Sequence, residues 1–174
     1  MDFNELLKFS EQKTRILILE KNGLISKKIL EISENQQVEI GYLDGNHIQN
    51  SESDFFLFNT DNLDLASEFQ PTVALISKGF NQNILKITQQ ITGGGVAIFP
   101  ENISGQLLQS TNFFRKLPFE FPINSENSDI ETDFGTISLE NQTQEIVENI
   151  FGMKILAQQI GIMEEEFFDE IINS

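Results

Sequence analysis

The chain has no cysteine and no tryptophan, and only one tyrosine, one histidine and four prolines in 174 residues. Without cysteine there is no disulfide framework, no thiol nucleophile and no thiolate metal site. A single histidine cannot gather the ligands a zinc site needs, and His47, beside Gly45 and Asn46, reads as a turn residue. No run of about 18 apolar residues occurs, so no membrane-spanning helix is expected. The start, Met1-Asp2-Phe3-Asn4-Glu5, lacks a basic stretch followed by an apolar one. A secretory signal is therefore not expected, and the cytoplasm is the expected location. Basic residues are scarce too: 11 Lys and Arg stand against 27 Asp and Glu, a formal net charge of −16. Nucleic acid and anionic membranes attract basic surfaces, so neither is an expected partner.

What is present suits one α/β domain over residues 1–174, with 39% hydrophobic and 22% charged residues. The 16 Phe predict that phenylalanine fills much of the core. Residues 3–9 read as a short amphipathic helix. Apolar, β-branched runs predict strands at 15–19, 38–43, 54–58, 72–77 and 96–99, and a short one at 134–139. Helices are predicted at 24–33 and 83–91, at 140–160 with Ile146, Ile150, Met153 and Ala157 on one stripe, and at 164–172. Gly93-Gly94-Gly95 reads as a helix C-cap and strand entry, and Gly161 as a helix stop. Around Pro118 and Pro122 an edge or loop is expected. The alternation predicts a mainly parallel sheet with helices on both faces.

The chemistry concentrates in one turn. The first strand runs into Glu20-Lys21-Asn22-Gly23-Leu24-Ile25-Ser26 and then a helix, the arrangement in which a strand–GxxxxGK[ST]–helix loop cradles phosphate. Glu20 replaces the first Gly, Leu24 the Lys, and Ile25 the hydroxyl residue that would meet Mg²⁺. Asn22, Gly23 and Ser26 remain as cofactor-binding candidates, a remnant phosphate loop. Other residues carry less. Asp61 and Asp64 are metal carboxylates or helix N-caps, and Lys27 and Lys28 read as a solvated helix face. Glu164, Glu165 and Glu166 suit the first turn of a helix. Phe167, Phe168, Ile171 and Ile172 give the last helix more apolar residues than one buried stripe needs. A patch left over there would be an interface, for self-association or for a protein partner.

In order and spacing these segments resemble the middle, ATP-binding domain of the Mur ligases, nearest within that family to the murein peptide ligases. The resemblance rests on Asn4-Glu5-Leu6-Leu7 with Lys13 to Ile18, on Asp54 to Phe58, and on Gln70 to Ser77. It continues through Gly94-Gly95, Ser110-Thr111-Asn112, Arg115 to Pro118, Asn149 to Gly152 and Gly161 to Phe167. It implies a P-loop-NTPase-like α/β fold and a link to peptidoglycan. The family's cofactors are ATP and Mg²⁺, but the motifs that hold them are missing. The family's metal-binding Glu falls near Asn59, and its His after the fourth strand has no counterpart. Its Gly-x-His-Asn is lost around residues 143–146, with Asn149 alone retained. No catalytic residue, no metal ligand and no cofactor is therefore expected, and a degenerate, non-catalytic relative acting through protein contacts is. The same turn also resembles a short-chain-dehydrogenase-like Rossmann unit, with Glu20-x-x-Gly23-x-x-Ser26 for three glycines. That alternative implies a nucleotide- or dinucleotide-binding enzyme or sensor with a reshaped loop.

Overall fold

The computed structural model describes residues 2–120 and 129–174. The expectations placed on Met1, Phe121 and Pro122 lie outside these residues. Seven strands form one sheet in the order β3-β2-β4-β1-β5-β6-β7. They are β1 (Thr14–Leu19), β2 (Ile40–Asp44), β3 (His47–Gln49), β4 (Phe55–Thr60), β5 (Val73–Ile76), β6 (Val96–Pro100) and β7 (Arg115–Phe119). All neighbours pair in parallel except β2 and β3, which form an antiparallel hairpin at one edge. The central β1 is buried on both sides, so it reads as an unbroken apolar run.

Helices cover both faces. One face carries α2 (Leu24–Asn35), α6 (Gln144–Gln159) and α7 (Glu164–Asn173) over Ile16, Ile18, Leu57, Leu75 and Ile98. The small hairpin β8 (Asp129–Thr132) and β9 (Gly135–Ser138) joins this aliphatic core through Ile130 and Ile137. The opposite face carries α1 (Phe3–Phe9), α3 (Leu63–Phe69), α4 (Leu85–Thr88) and α5 (Ser104–Leu107). Here phenylalanine does the filling: Phe58 lies 5.5 Å from Phe3 and 5.2 Å from Phe69, ring centre to ring centre.

Several sequence expectations need correction. Val38 belongs to the connection after α2, and the strand begins at Ile40. His47 opens edge strand β3 opposite Asp44 rather than sitting in the turn. The helix expected at 83–91 shrinks to Leu85–Thr88 and is capped by Gln89, so the three glycines enter β6 without capping a helix. Pro118 does lie on an edge strand, β7, where its missing N–H costs no ladder bond on the open side. Phe167, Phe168 and Ile171 are buried, which leaves Ile172 as the one exposed member of the expected patch. Those three join the core that α7 shares with α2, α6 and β9. Among the described residues no helix is long and apolar enough to cross a membrane.

Candidate functional site

The connection from β1 goes to α2 on one face, while the connection from β5 goes to α4 on the other. The carboxyl ends of these two neighbouring strands are therefore a topological switch point, where open α/β sheets keep their ligand crevices. The turn Glu20 to Gly23 sits there, next to Ser77 and Lys78 after β5.

The turn is built by backbone geometry first. Gly23 is the N-cap of α2 with φ +70°, a left-handed conformation that glycine adopts without strain. A Gly cap has no side chain to offer, so the first N–H groups of α2 need another acceptor. Glu20 supplies it. Its side chain is buried, 2% exposed, and accepts from the Ile25 N–H at 2.8 Å and the Ser26 N–H at 2.9 Å. A carboxylate thus fills the place at the positive end of a helix where a bound phosphate would lie. Burial pushes the Glu20 pKa up; the bonds from Ser26 and Ile25 pull it back, and the charge of Glu145 adds to the rise.

Helix α6 closes the turn from above. Asn22 donates through Nδ2 to Glu145 at 3.0 Å. Asn149, 1% exposed, accepts the Lys78 N–H through Oδ1 at 2.7 Å and donates to the Glu145 carbonyl at 2.9 Å. Lys78 Nζ stands 3.8 Å from Glu148. α6 is thereby tied to the ends of both β1 and β5.

The three candidates Asn22, Gly23 and Ser26 come together in this turn. The Ser26 hydroxyl donates to the Gly23 carbonyl at 3.1 Å. Asn59 lies at the same rim, its amide nitrogen 3.4 Å from where a Cβ on Gly23 would stand. Leu24, in the place of the phosphate-loop Lys, is partly exposed. The other candidates lie apart from it. Asn62, not Asp61 or Asp64, caps α3, accepting from Asp64 and Leu65. Exposed Asp64 pairs with Lys86 at 2.6 Å, which lowers its pKa. Lys28 pairs with Glu31 at 2.9 Å along α2. Among the described residues no three His, Asp or Glu side chains stand together in a way that would hold a metal ion. ATP and Mg²⁺ do not fit the turn as built, because Glu20 uses the N–H groups a phosphate needs and Leu24 stands in the place of the phosphate-loop Lys. Sequence reasoning missed the roles of Glu20, Glu145 and Asn22. The available signal was an acidic residue shortly before a helix start whose cap is glycine.

No protein-family model matches the sequence, and no curated protein matches it. Solved structures do match. The murein peptide ligase of Neisseria meningitides superposes with a TM-score of 0.70 at 10% identity, over 97% of this chain and 68% of that one. MurF of Acinetobacter baumannii gives 0.66 at 14% identity, over 97% and 47%. FolC of E. coli, in complex with DHPP and ADP, gives 0.58 at 11% identity, over 99% and 61%. The chain thus spans about half the length of MurF. Identities this low carry the architecture and not the activity, and on that ground the fold is that of a Mur-ligase middle-domain-like α/β protein.

Proposed function

We propose that this is a non-catalytic, Mur-ligase-like protein of the cytoplasm, connected to peptidoglycan chemistry and acting by contact with another protein. One observation carries the reading: the Glu20 carboxylate holds the two N–H groups of Ile25 and Ser26. A triphosphate entering that turn would meet a fixed negative charge, with Leu24 in place of the loop lysine, a repulsion of several kcal/mol at close range. Calorimetric titration with ATP and Mg²⁺ is the test. No heat of binding is expected, and micromolar binding would sink the proposal. The double variant Glu20→Gly, Leu24→Lys is expected to gain weak phosphate affinity without ATP-dependent condensation. Condensation by that variant would count equally against the reading. The partner contact is assigned to the carboxy-terminal helices, through Met163 and Ile172, the exposed apolar residues at α7.

The alternative, a nucleotide- or dinucleotide-binding sensor, draws on a different feature. A groove of about 970 Å³ runs between α2 and strands β2 and β4, and Ser26 and Asn59 line the end that adjoins the turn. Leu30, Val38 and Tyr42 supply apolar wall. Its size suits a small ligand. Titration with UDP and NAD beside ATP separates the two readings.

A further inference from the structure

Three features of the turn point the same way. Its acceptor comes from the chain itself, and that acceptor is a carboxylate only 2% exposed. Both its bonds go to consecutive N–H groups of a 12-residue helix that begins at a left-handed glycine. The turn is then fastened from outside by Asn22 to Glu145, on an α6 that Asn149 pins to the end of β5. In phosphate-binding loops the same strand–turn–helix arrangement is completed by a ligand's phosphate. We infer that Glu20 is an internal anion that takes the place of a ligand phosphate, so that the turn is closed without nucleotide and loosens when Glu20 loses its charge or leaves. This deepens the proposed function by giving the reason the turn takes no phosphate.

The chemistry of the two protonation states follows. An ionised carboxylate accepts on both oxygens, one for each N–H. Once protonated it carries an O–H, and its hydroxyl oxygen is a far poorer acceptor, so one of the two N–H groups is released. The charged residues on the segments around it are Glu145 and Glu148 on α6, Lys78 after β5, Asp61 after β4, and Lys21 and Lys27 beside it in the chain. Lys78 is engaged with Glu148, and Glu145 opposes the Glu20 charge.

The experiment is NMR on the intact chain, reading the Ile25 and Ser26 amides and the Glu20 side-chain carbon. In the wild type both amides are expected to titrate with the midpoint of the Glu20 carboxyl, and Glu145→Gln is expected to move that midpoint down. Amides that ignore the Glu20 titration overturn the inference. Inorganic triphosphate, added at millimolar concentration, is expected to leave both amides unmoved in the wild type and to shift them in Glu20→Gly. Equal shifts in the two proteins, or none in the variant, overturn it as well. Glu20→Gln, which keeps an acceptor and most of the shape, covers the case in which the glycine variant does not fold. Its Ile25 and Ser26 amides are expected to lose their pH dependence, and a retained midpoint would overturn the inference. ATP binding in the groove with the two amides unmoved would end the proposed function and leave this inference standing.

Discussion

Strand β1 carries a charge near each end, and the two ends use the same device with opposite sign. At the amino end, Arg15 donates to the Leu7 carbonyl at 2.6 Å and the Phe69 carbonyl at 3.0 Å, in the last turns of α1 and α3. It also reaches the Ser10 carbonyl and hydroxyl, at 3.2 and 3.0 Å. At the carboxyl end, Glu20 accepts from the first turn of α2. A cation meets helix C-termini and an anion meets a helix N-terminus, as the dipoles favour. The difference is location. The amino edge of a parallel sheet is not where these folds bind ligands, so Arg15 only stitches α1 and α3 to the sheet. The carboxyl edge is the ligand edge, and there the same stitch consumes the groups a ligand would use.

The comparison is broken most severely by a buried charge that meets no helix end. Phe168, 2% exposed, packs against Phe167 at 5.3 Å and belongs to the apolar core cluster beneath α2 and α6. Phe168→Asp is expected to cost about 5 kcal/mol, from lost packing and an unpaired carboxylate. Denaturant unfolding measures it. A loss below about 1 kcal/mol would instead place Phe168 at a protein interface, as its sequence first allows.

Next is the amino end itself. Arg15→Met keeps the apolar stem and removes every guanidinium bond. The expected cost is about 2–3 kcal/mol, because the Leu7 and Phe69 carbonyls lose charged donors and Phe69, 0% exposed, has no water to replace the bond. Chemical denaturation of the pair Arg15→Met and Arg15→Lys checks it. Lysine is expected to recover only part, since one ammonium cannot reach both helix ends with the geometry of a planar fork. Full recovery would mean that charge alone matters and that the stitch is not geometric.

The carboxyl end gives a pH signature of known sign. Burial raises the Glu20 pKa above its unfolded value. The folded chain therefore binds this proton more tightly than the unfolded chain, and the residue's contribution to stability falls as pH rises through its folded pKa. Glu20→Gln removes that term. The wild type is expected to gain on the variant as pH falls from neutrality toward the ordinary carboxylate range. Melting curves of the two proteins across this interval decide the matter, and a constant gap between them would show that the charge is not penalised.

The sheet was largely legible because its inner strands are buried on both sides, and β1, β4, β5 and β6 show as compact apolar runs. The stripe on α6 was legible for the same reason at helical period. Helix α3 escaped because seven residues give too few turns for a period, and its cap, Asn62, lies between two aspartates that draw attention first. Of the hairpin β8–β9, the second strand was legible at 134–139, and β8 escaped because its four residues carry a single buried side chain, Ile130. In the candidate site the turn was found, and Gly23 and Ser26 with it. The direction of Glu20 was not, because a carboxylate before a helix reads as a hindrance to ligands until the backbone shows that it folds back onto N–H groups five and six residues on.

The smallest expected effect concerns the far end of α2, where Glu170 holds the Asn35 and Gln36 side chains but the last helical carbonyls are met by backbone N–H groups. Both α2 and α6 finish in the same motif: Val38 N–H bonds the Ser33 carbonyl at 2.8 Å, as Ile162 N–H bonds that of Ala157 at 3.0 Å. The left-handed position is Gly161 after α6, φ +92°, and Gln37 after α2, φ 59°. Gln37 is exposed, so its side chain contributes little packing to offset a conformation unfavourable by about 1 kcal/mol for an L-residue. Glycine there relieves the strain but adds freedom to the unfolded chain, so the two effects partly cancel. Gln37→Gly is expected to stabilise the protein by about 0.5 kcal/mol net, read as a small rise in melting temperature. The converse, Gly161→Gln, is expected to destabilise by a similar amount. If Gln37→Gly destabilises instead, the Gln37 side chain makes a contact in the neighbouring groove that outweighs the backbone strain.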